Sequence, residues 1–172
     1  MIKIKDTHEM RTGKDEILKL LECVMDPEVP VLSIKDLGIL RDVEVSSGHI
    51  EVMITPTYSG CPAMRAIQDE IISTLKAKGF DNVTVKTVYS PVWTTDWMSD
   101  EAKGKLKDYG IAPPLKGSDE EFIPLMINTD TVSCPYCNSE DTVLRSRFGS
   151  TACKSLYFCN SCKEPFEYFK RF

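Results

Sequence analysis

Two C-x-x-C pairs near the end of the chain constrain its folding more than any other feature. Cys134-Pro135-Tyr136-Cys137 and Cys159-Asn160-Ser161-Cys162 are separated by 21 residues. This spacing is the zinc-ribbon pattern, in which two knuckles, joined by a short β-hairpin, each place two thiolates on one metal. A shell of four thiolates is saturated and leaves no position for water or substrate. The expectation is therefore one structural zinc per chain on Cys134, Cys137, Cys159 and Cys162, with a redox iron as the alternative. Rubredoxin-like iron knuckles carry glycine after the second cysteine, whereas Asn138 and Lys163 stand there in this chain. A module of roughly 40 residues cannot bury a sufficient core, so metal must contribute to its folding.

The 172 residues leave room for one further domain. Residues 1–126 carry 15 Lys and Arg against 21 Asp and Glu, and residues 127–172 carry 6 against 5. Without a basic stripe the chain is a poor binder of nucleic acid, and the aromatics interleaved with Arg145, Arg147 and Lys154 read as the ribbon's own core. No apolar run approaches the about 20 residues that span a membrane, and Met1–Met10 has no apolar signal segment. With three cysteines outside the pairs, the pattern reads as a reduced, cytoplasmic, metal-binding chain.

Local signals give the first domain as a compact α+β unit of order α-β-β-α-β-α over residues 12–114. A linker at 115–130 and the ribbon at 131–172 follow. Thr12 is the expected cap of a helix whose apolar side includes Ile17, Leu18, Leu21, Val24 and Met25, with Cys23 in the core. Asp26-Pro27 ends that helix, because the residue before proline avoids the helical region. Asp26 and Asp36 flank a proline loop and read as turn residues. Two short β runs around Ser46-Ser47-Gly48-His49 predict an antiparallel hairpin. Pro62 marks the first position of a second helix ended by Gly79, which puts Cys61 at its N-cap. There the helix dipole favours a thiolate, making Cys61 a metal-handling or nucleophilic candidate. A Cys–His enzyme needs a base, and only His8 and His49 are available. Trp93-Thr94-Thr95-Asp96-Trp97 is expected to be a loop that shapes a site or meets a partner. Ser99 should cap a third helix, ended by Gly110, with Lys105 and Lys107 on a solvated face. Cys153 is expected to pack in the ribbon hairpin.

Several runs resemble a known family. Asp26-Pro27-Glu28-Val29-Pro30, Asp36-Leu37-Gly38-Ile39 and Thr57-Tyr58-Ser59-Gly60-Cys61-Pro62-Ala63-Met64 resemble, in order, the SufT-like iron–sulfur assembly domain. The run from Ser90 to Asp96 and Gly110-Ile111-Ala112-Pro113-Pro114 narrow the match. With Phe148-Gly149-Ser150-Thr151-Ala152-Cys153-Lys154 and Cys162-Lys163-Glu164-Pro165-Phe166, the whole is similar to the PaaD family of phenylacetyl-CoA epoxidase components. The resemblance implies a non-catalytic accessory or assembly factor in aerobic phenylacetate breakdown, partnered by the subunits of the epoxidase complex. It implies a transient iron or iron–sulfur contact at Cys61, with Cys153 and Asp26 as further candidates, and leaves homo-oligomerisation open. The chain has no paired Glu-x-x-His helices and no Gly-rich dinucleotide fingerprint, so oxygenation and reduction belong elsewhere. An electron-transfer or docking role for the four-cysteine site and a thiol enzyme at Cys61 are the other readings.

Protein purified without added metal is expected to be colourless and to contain one zinc per chain. Visible absorption from ferric tetrathiolate in such a preparation would reverse the assignment of the ribbon.

Overall fold

The computed structural model describes residues 13–46, 48–115 and 131–172. The first sheet is built on a central strand. β1 (Leu40–Ser46) and β2 (His49–Ile54) form the expected antiparallel hairpin, and β3 (Val83–Thr87) lies parallel to β2 on its other side. A parallel neighbour requires a crossover, supplied here by α2 (Ala63–Ala77). Every second residue of β2 (Ile50, Val52 and Ile54) is buried, as are Ile67, Ile71 and Leu75 at helical spacing on α2. These share one core with Ile17 of α1 (Lys14–Leu20) and with Leu21, which opens a short 3-10 turn continuing to Cys23. The α+β expectation therefore holds.

The first helix corrects several details. Gly13 occupies its N-cap and makes no side-chain cap bond; the expected cap, Thr12, lies outside the described residues. Cys23 is exposed rather than in the core, because at helical spacing it shares the polar side with Glu16 and Lys19, away from Ile17, Leu21 and Val24; its thiol donates to Leu20 O at 3.2 Å. Met25 is exposed too, its backbone bridging to Ser33. By contrast α3 (Asp100–Asp108) begins as read: Ser99 Oγ accepts the Ala102 amide at 3.0 Å, and Gly110 follows the helix at φ +91°.

β4 (Ile111–Ala112) leaves the first domain and joins the ribbon's sheet, parallel to β7 (Pro165–Phe169). β6 (Lys154–Cys159) and β5 (Thr142–Ser146) complete the order β4-β7-β6-β5. The sheet thus crosses the boundary expected near residue 114, while residues 116–130 of the linker lie outside the described residues. The ribbon has its own small core of Val132, Tyr157, Phe166 and Tyr168 around Cys134 and Cys159. Cys153 and Phe169, however, belong to the core of the first domain. Burial against that domain therefore supplements whatever metal contributes to the ribbon.

The segment after β3 closes the unit. Trp93 is 2 % exposed and its indole nitrogen donates to Leu37 O at 2.8 Å. Trp93 and Thr95 are thus core residues rather than a partner surface; Thr94 and Trp97 are half-buried and Asp96 is exposed. Gly38 is left-handed at φ +68°, and a Cβ built on it would stand 3.0 Å from Trp97 Cβ. Arg41 lies over the Trp97 ring, its guanidinium carbon 3.7 Å from the ring centre. Gly38→Ala must therefore take an unfavourable backbone region and push against Trp97. It is expected to lose about 1–2 kcal/mol, read as a lower midpoint in urea with an unchanged slope.

Candidate metal-handling sites in the ribbon and at the domain seam

The knuckles bring the four ribbon thiols together. Among the described residues, Cys134, Cys137, Cys159 and Cys162 are the one set whose donor atoms all lie within 4.8 Å of one another. Cys134 and Cys162 sulfurs are 3.7 Å apart, and those of Cys137 and Cys159 are 3.5 Å apart. Each knuckle folds its backbone around the metal position and then turns at a left-handed residue, Asn138 (φ 59°) and Lys163 (φ 66°). This is the position where rubredoxin-like knuckles carry glycine. The Cys162 and Ser161 amides point at the Cys159 sulfur and hold the pKa of its thiol down to about 6. Four convergent sulfurs with amides aimed at them suit a tetrahedral thiophilic ion, so the donor set fits a zinc ribbon.

The second cluster lies where the ribbon meets the first domain. Asp26 is 5 % exposed, and its Oδ1 accepts the Glu28 and Val29 amides at 2.7 and 2.8 Å. This closes the turn read from the sequence and sets Glu28 toward the ribbon. Cys153, 3 % exposed, reaches Glu28 Oε2 at 3.8 Å, and its sulfur lies 2.9 Å from Thr151 Oγ1. The expected place for Cys153, inside the ribbon hairpin, is thus replaced by one between domains. Lys154, also buried, pairs with Glu167 Oε2 at 2.9 Å and points to Glu28 O at 3.5 Å.

The charges of the same two carboxylates also reach Cys61. The helix begins one residue later than expected: Pro62 is the N-cap of α2, so Cys61 precedes the cap. Its amide donates to Tyr58 O at 3.1 Å, making a tight turn before the helix. Nor is its thiol acidified as the helix-dipole argument predicts. Burial pushes the Cys61 thiol up, the Ala63 amide and Thr57 hydroxyl pull it part-way back, and Glu28 and Asp26 push it up again. Burial likewise lifts Cys153 to about 11, against the Thr151 bond and with the help of Glu28. Tyr58 rises to about 12, from burial first and then from Cys61 and the carboxylates. Glu28 is raised by burial and then by Asp26, with Cys153 and Lys154 opposing. Burial is the largest cause at each of these groups and the neighbouring carboxylates add to it at Cys61, Cys153 and Tyr58, so the seam favours their protonated, neutral forms.

The other candidates fall elsewhere. Both ring nitrogens of His49 are engaged, Nδ1 with Asn82 at 3.1 Å and Nε2 with Thr84 at 3.0 Å, so it is committed to the hairpin end. His8 lies outside the described residues. Asp36 accepts the Ser33 amide at 3.0 Å and pairs with Lys105 at 3.0 Å; Lys105 is therefore tied to the first domain rather than merely solvated. Glu28 and Lys154 are the residues that sequence reasoning misses. Their signal is faint: a glutamate inside the proline loop and a lysine directly after Cys153.

Comparisons with known proteins agree with both halves. Residues 123–170 match the family described as PaaD zinc beta ribbon domain, and residues 14–87 match the family described as iron-sulfur cluster assembly protein. A protein of Escherichia coli (strain K12), named as the putative D component of 1,2-phenylacetyl-CoA epoxidase, is 46% identical over 90% of this chain and 91% of its own length. The chain belongs to the PaaD family. The PaaD-type ribbon is what extends it beyond shorter relatives. One of these, the Fe-S protein maturation auxiliary factor YitW of Bacillus subtilis (strain 168), is 37% identical over 52% of this chain and 89% of its own length. A crystal structure of a domain of unknown function, DUF59, from Bacillus anthracis superimposes with a TM-score of 0.51 at 28% identity, covering 54% of this chain and 90% of that one. Among the described residues no helix is long and apolar enough to cross a membrane.

Asp26 gives a test of function against stability. Burial raises its pKa above the ordinary carboxylate value, and the Glu28 and Val29 amides and Lys154 offset this only in part. Folding therefore favours the protonated acid: its contribution is full below the unfolded value near 4 and is lost as pH rises through the folded value. At pH 7 the carboxylate is a net burden. Asp26→Asn, which keeps the amide acceptor, is expected to match or exceed the parent in urea unfolding at pH 7, with the difference moving toward the parent at pH 5. Asp26→Ala, which loses the acceptor, should fall by about 1–2 kcal/mol. An asparagine variant less stable at pH 7 would contradict this account.

Proposed function

We propose that this chain is a non-catalytic maturation factor and accessory subunit of the multicomponent oxygenase that epoxidises phenylacetyl-CoA. Its working residue is Cys61, which contacts iron or an iron–sulfur cluster in passing, and its ribbon holds one structural zinc. Its partners are the other subunits of that oxygenase, and the ribbon provides the surface on which they dock. The observation that carries this reading is the separation of two kinds of cysteine. Four thiols converge on one point in the ribbon, while Cys61 stands apart from them, half-buried just before α2 and within the electrostatic reach of Glu28 and Asp26.

The relatives' names support it from both sides: a protein named as an epoxidase component matches nearly the whole chain, and iron–sulfur maturation factors match the first domain. A thiol enzyme is the weaker reading. Its nucleophile would need a lowered pKa and a base, whereas the Cys61 thiol is pushed up and His49 is engaged elsewhere. In cells dependent on this chain, Cys61→Ser is expected to reduce both epoxidase activity and the iron content of the purified oxygenase, while leaving one zinc per chain in the ribbon. Activity and iron equal to wild type would remove Cys61 from the mechanism.

A further inference from the structure

The outer margin of the ribbon carries a run of exposed side chains that neither the metal set nor the core uses. β5 ends the sheet on the side away from β4, the strand that the first domain contributes. Val143, Leu144, Arg145, Arg147 and Phe148 are exposed there, with Ser146 half-buried among them. Residues 142–158 contain Arg145, Arg147 and Lys154 and no acid, in a chain whose first 126 residues are net acidic. Lys154 is turned inward to Glu167, so Arg145 and Arg147, with Lys170, set the outward charge. Two of these cations are positioned over rings, Arg145 on Phe158 at 5.0 Å and Lys170 on Phe148 at 4.8 Å. Phe148 is 66 % exposed, yet the loop that carries it is pinned. The Phe148 amide donates to Ser146 Oγ at 3.2 Å, the Gly149 amide to Lys154 O at 2.8 Å and the Ser150 amide to Glu167 Oε1 at 2.6 Å. Lys170 Nζ donates to Arg147 O at 3.3 Å. Gly149 is needed for this closure, since a Cβ there would stand 2.5 Å from Glu167 Oε1. A large ring held out to solvent by an ordered loop loses little freedom when it is covered, which is the property of an interface anchor. The β5–β6 register shifts between Leu144 and Ser146, and an irregular, charged edge is blunted against a further strand. What covers this margin therefore meets its side chains rather than its backbone ladder.

We propose that this margin is the docking face for the oxygenase, with Phe148 as the anchor and Arg145, Arg147 and Lys170 as its charged rim. The surface it fits is a folded one: an apolar pocket for the phenylalanine ring, bordered by aspartate and glutamate. This rests on the reading of the ribbon as the part that docks, and adds to it which residues dock and what they meet. The three cations steer an acidic surface into register, and the ring, once covered, sets the lifetime of the complex. The net acidic first domain repels the same surface, so the partner is admitted from the ribbon's side. Nucleic acid fits less well: each of the two rings carries a cation on one face, and three cations neutralise few phosphates.

Biolayer interferometry of the full chain against the purified oxygenase, prepared without this chain, tests the proposal. Wild type is expected to bind, and to associate about 10-fold or more slowly when salt is raised from about 0.05 to about 0.5 M. Phe148→Ala should speed dissociation about 10-fold or more, with the salt dependence retained. Arg145→Glu combined with Arg147→Glu should slow association about 10-fold or more. Lys76→Glu combined with Lys78→Glu, an equal charge change at the exposed end of α2, should bind as wild type does. All five positions are exposed, so each variant is expected to keep the metal content and urea midpoint of wild type. Wild-type binding that neither Phe148→Ala nor the double arginine variant changes would overturn this face while leaving docking to the oxygenase in place. Equal losses in the lysine and arginine variants would reduce the effect to net charge and overturn it too. A chain that takes a single-stranded oligonucleotide in preference to the oxygenase, and loses it on Phe148→Ala, would assign the face to nucleic acid instead. Absence of any binding to the oxygenase would remove the docking reading along with the face.

Discussion

The contact on which the rest depends is the buried ammonium of Lys154. Its side chain is 4% exposed, paired with Glu167 at 2.9 Å within the ribbon and directed at the Glu28 carbonyl of the first domain. A buried cation is tolerated only with its partners in place, since removing one of a buried pair typically destabilises by about 3–5 kcal/mol. The arrangement is therefore orientational as much as stabilising: the ribbon must sit with Lys154 over the proline loop. Glu167 also accepts the Ser150 amide at 2.6 Å, so the loop before β6 is fixed by the same carboxylate. Cys153 follows from that placement, being the residue next to Lys154.

Apolar contacts run alongside this ionic one. Trp93 packs on Phe169 and Phe172 with ring centres 6.3 and 6.0 Å apart, and Phe172 stacks on Tyr58 at 6.5 Å. Tyr58 opens the turn that leads to Cys61. The end of the ribbon thus touches the wall of the Cys61 turn, and Trp93, itself anchored to Leu37, helps hold the ribbon. On the other side, Gly110 leaves room for Tyr136 of the first knuckle; a Cβ there would lie 2.7 Å from the tyrosine hydroxyl. The knuckle that carries Tyr136 and the strand edge that carries Cys153 both belong to the ribbon, so the ribbon packs on the first domain at two separate places.

Much of this is legible residue by residue. The C-x-x-C pairs, the hairpin at Gly48, the cap at Ser99 and the stop at Gly110 are local devices, each decided within a few neighbours, and each stands as read. Cys23 is a simpler miss: at helical spacing it falls on the side of Glu16 and Lys19, away from Ile17, Leu21 and Val24, so even a continued α-helix would leave it exposed. The other misses share a cause. Trp93 sits in a polar run that reads as surface, yet one carbonyl, Leu37 O, 56 residues earlier, satisfies its indole and allows full burial. The helix after Cys61 argues for an acidic thiol; burial and the carboxylates of residues 26 and 28 reverse this.

The sequence by itself determined the α+β class and the pairing of four ribbon cysteines that the structure brings together, and it raised the candidacy of Cys61. Periodicity, turn chemistry and ligand spacing are short-range properties written in consecutive residues. Only the tertiary structure decided that β4 joins the ribbon's sheet, that Cys153 leaves its hairpin for the first domain's core, and that Glu28 meets Cys153 across the seam. Those outcomes depend on which buried charge finds which partner across more than a hundred residues of chain, as Cys153 and Lys154 do with Glu28. Such pairing follows from the packing of two domains and leaves no periodic trace in either.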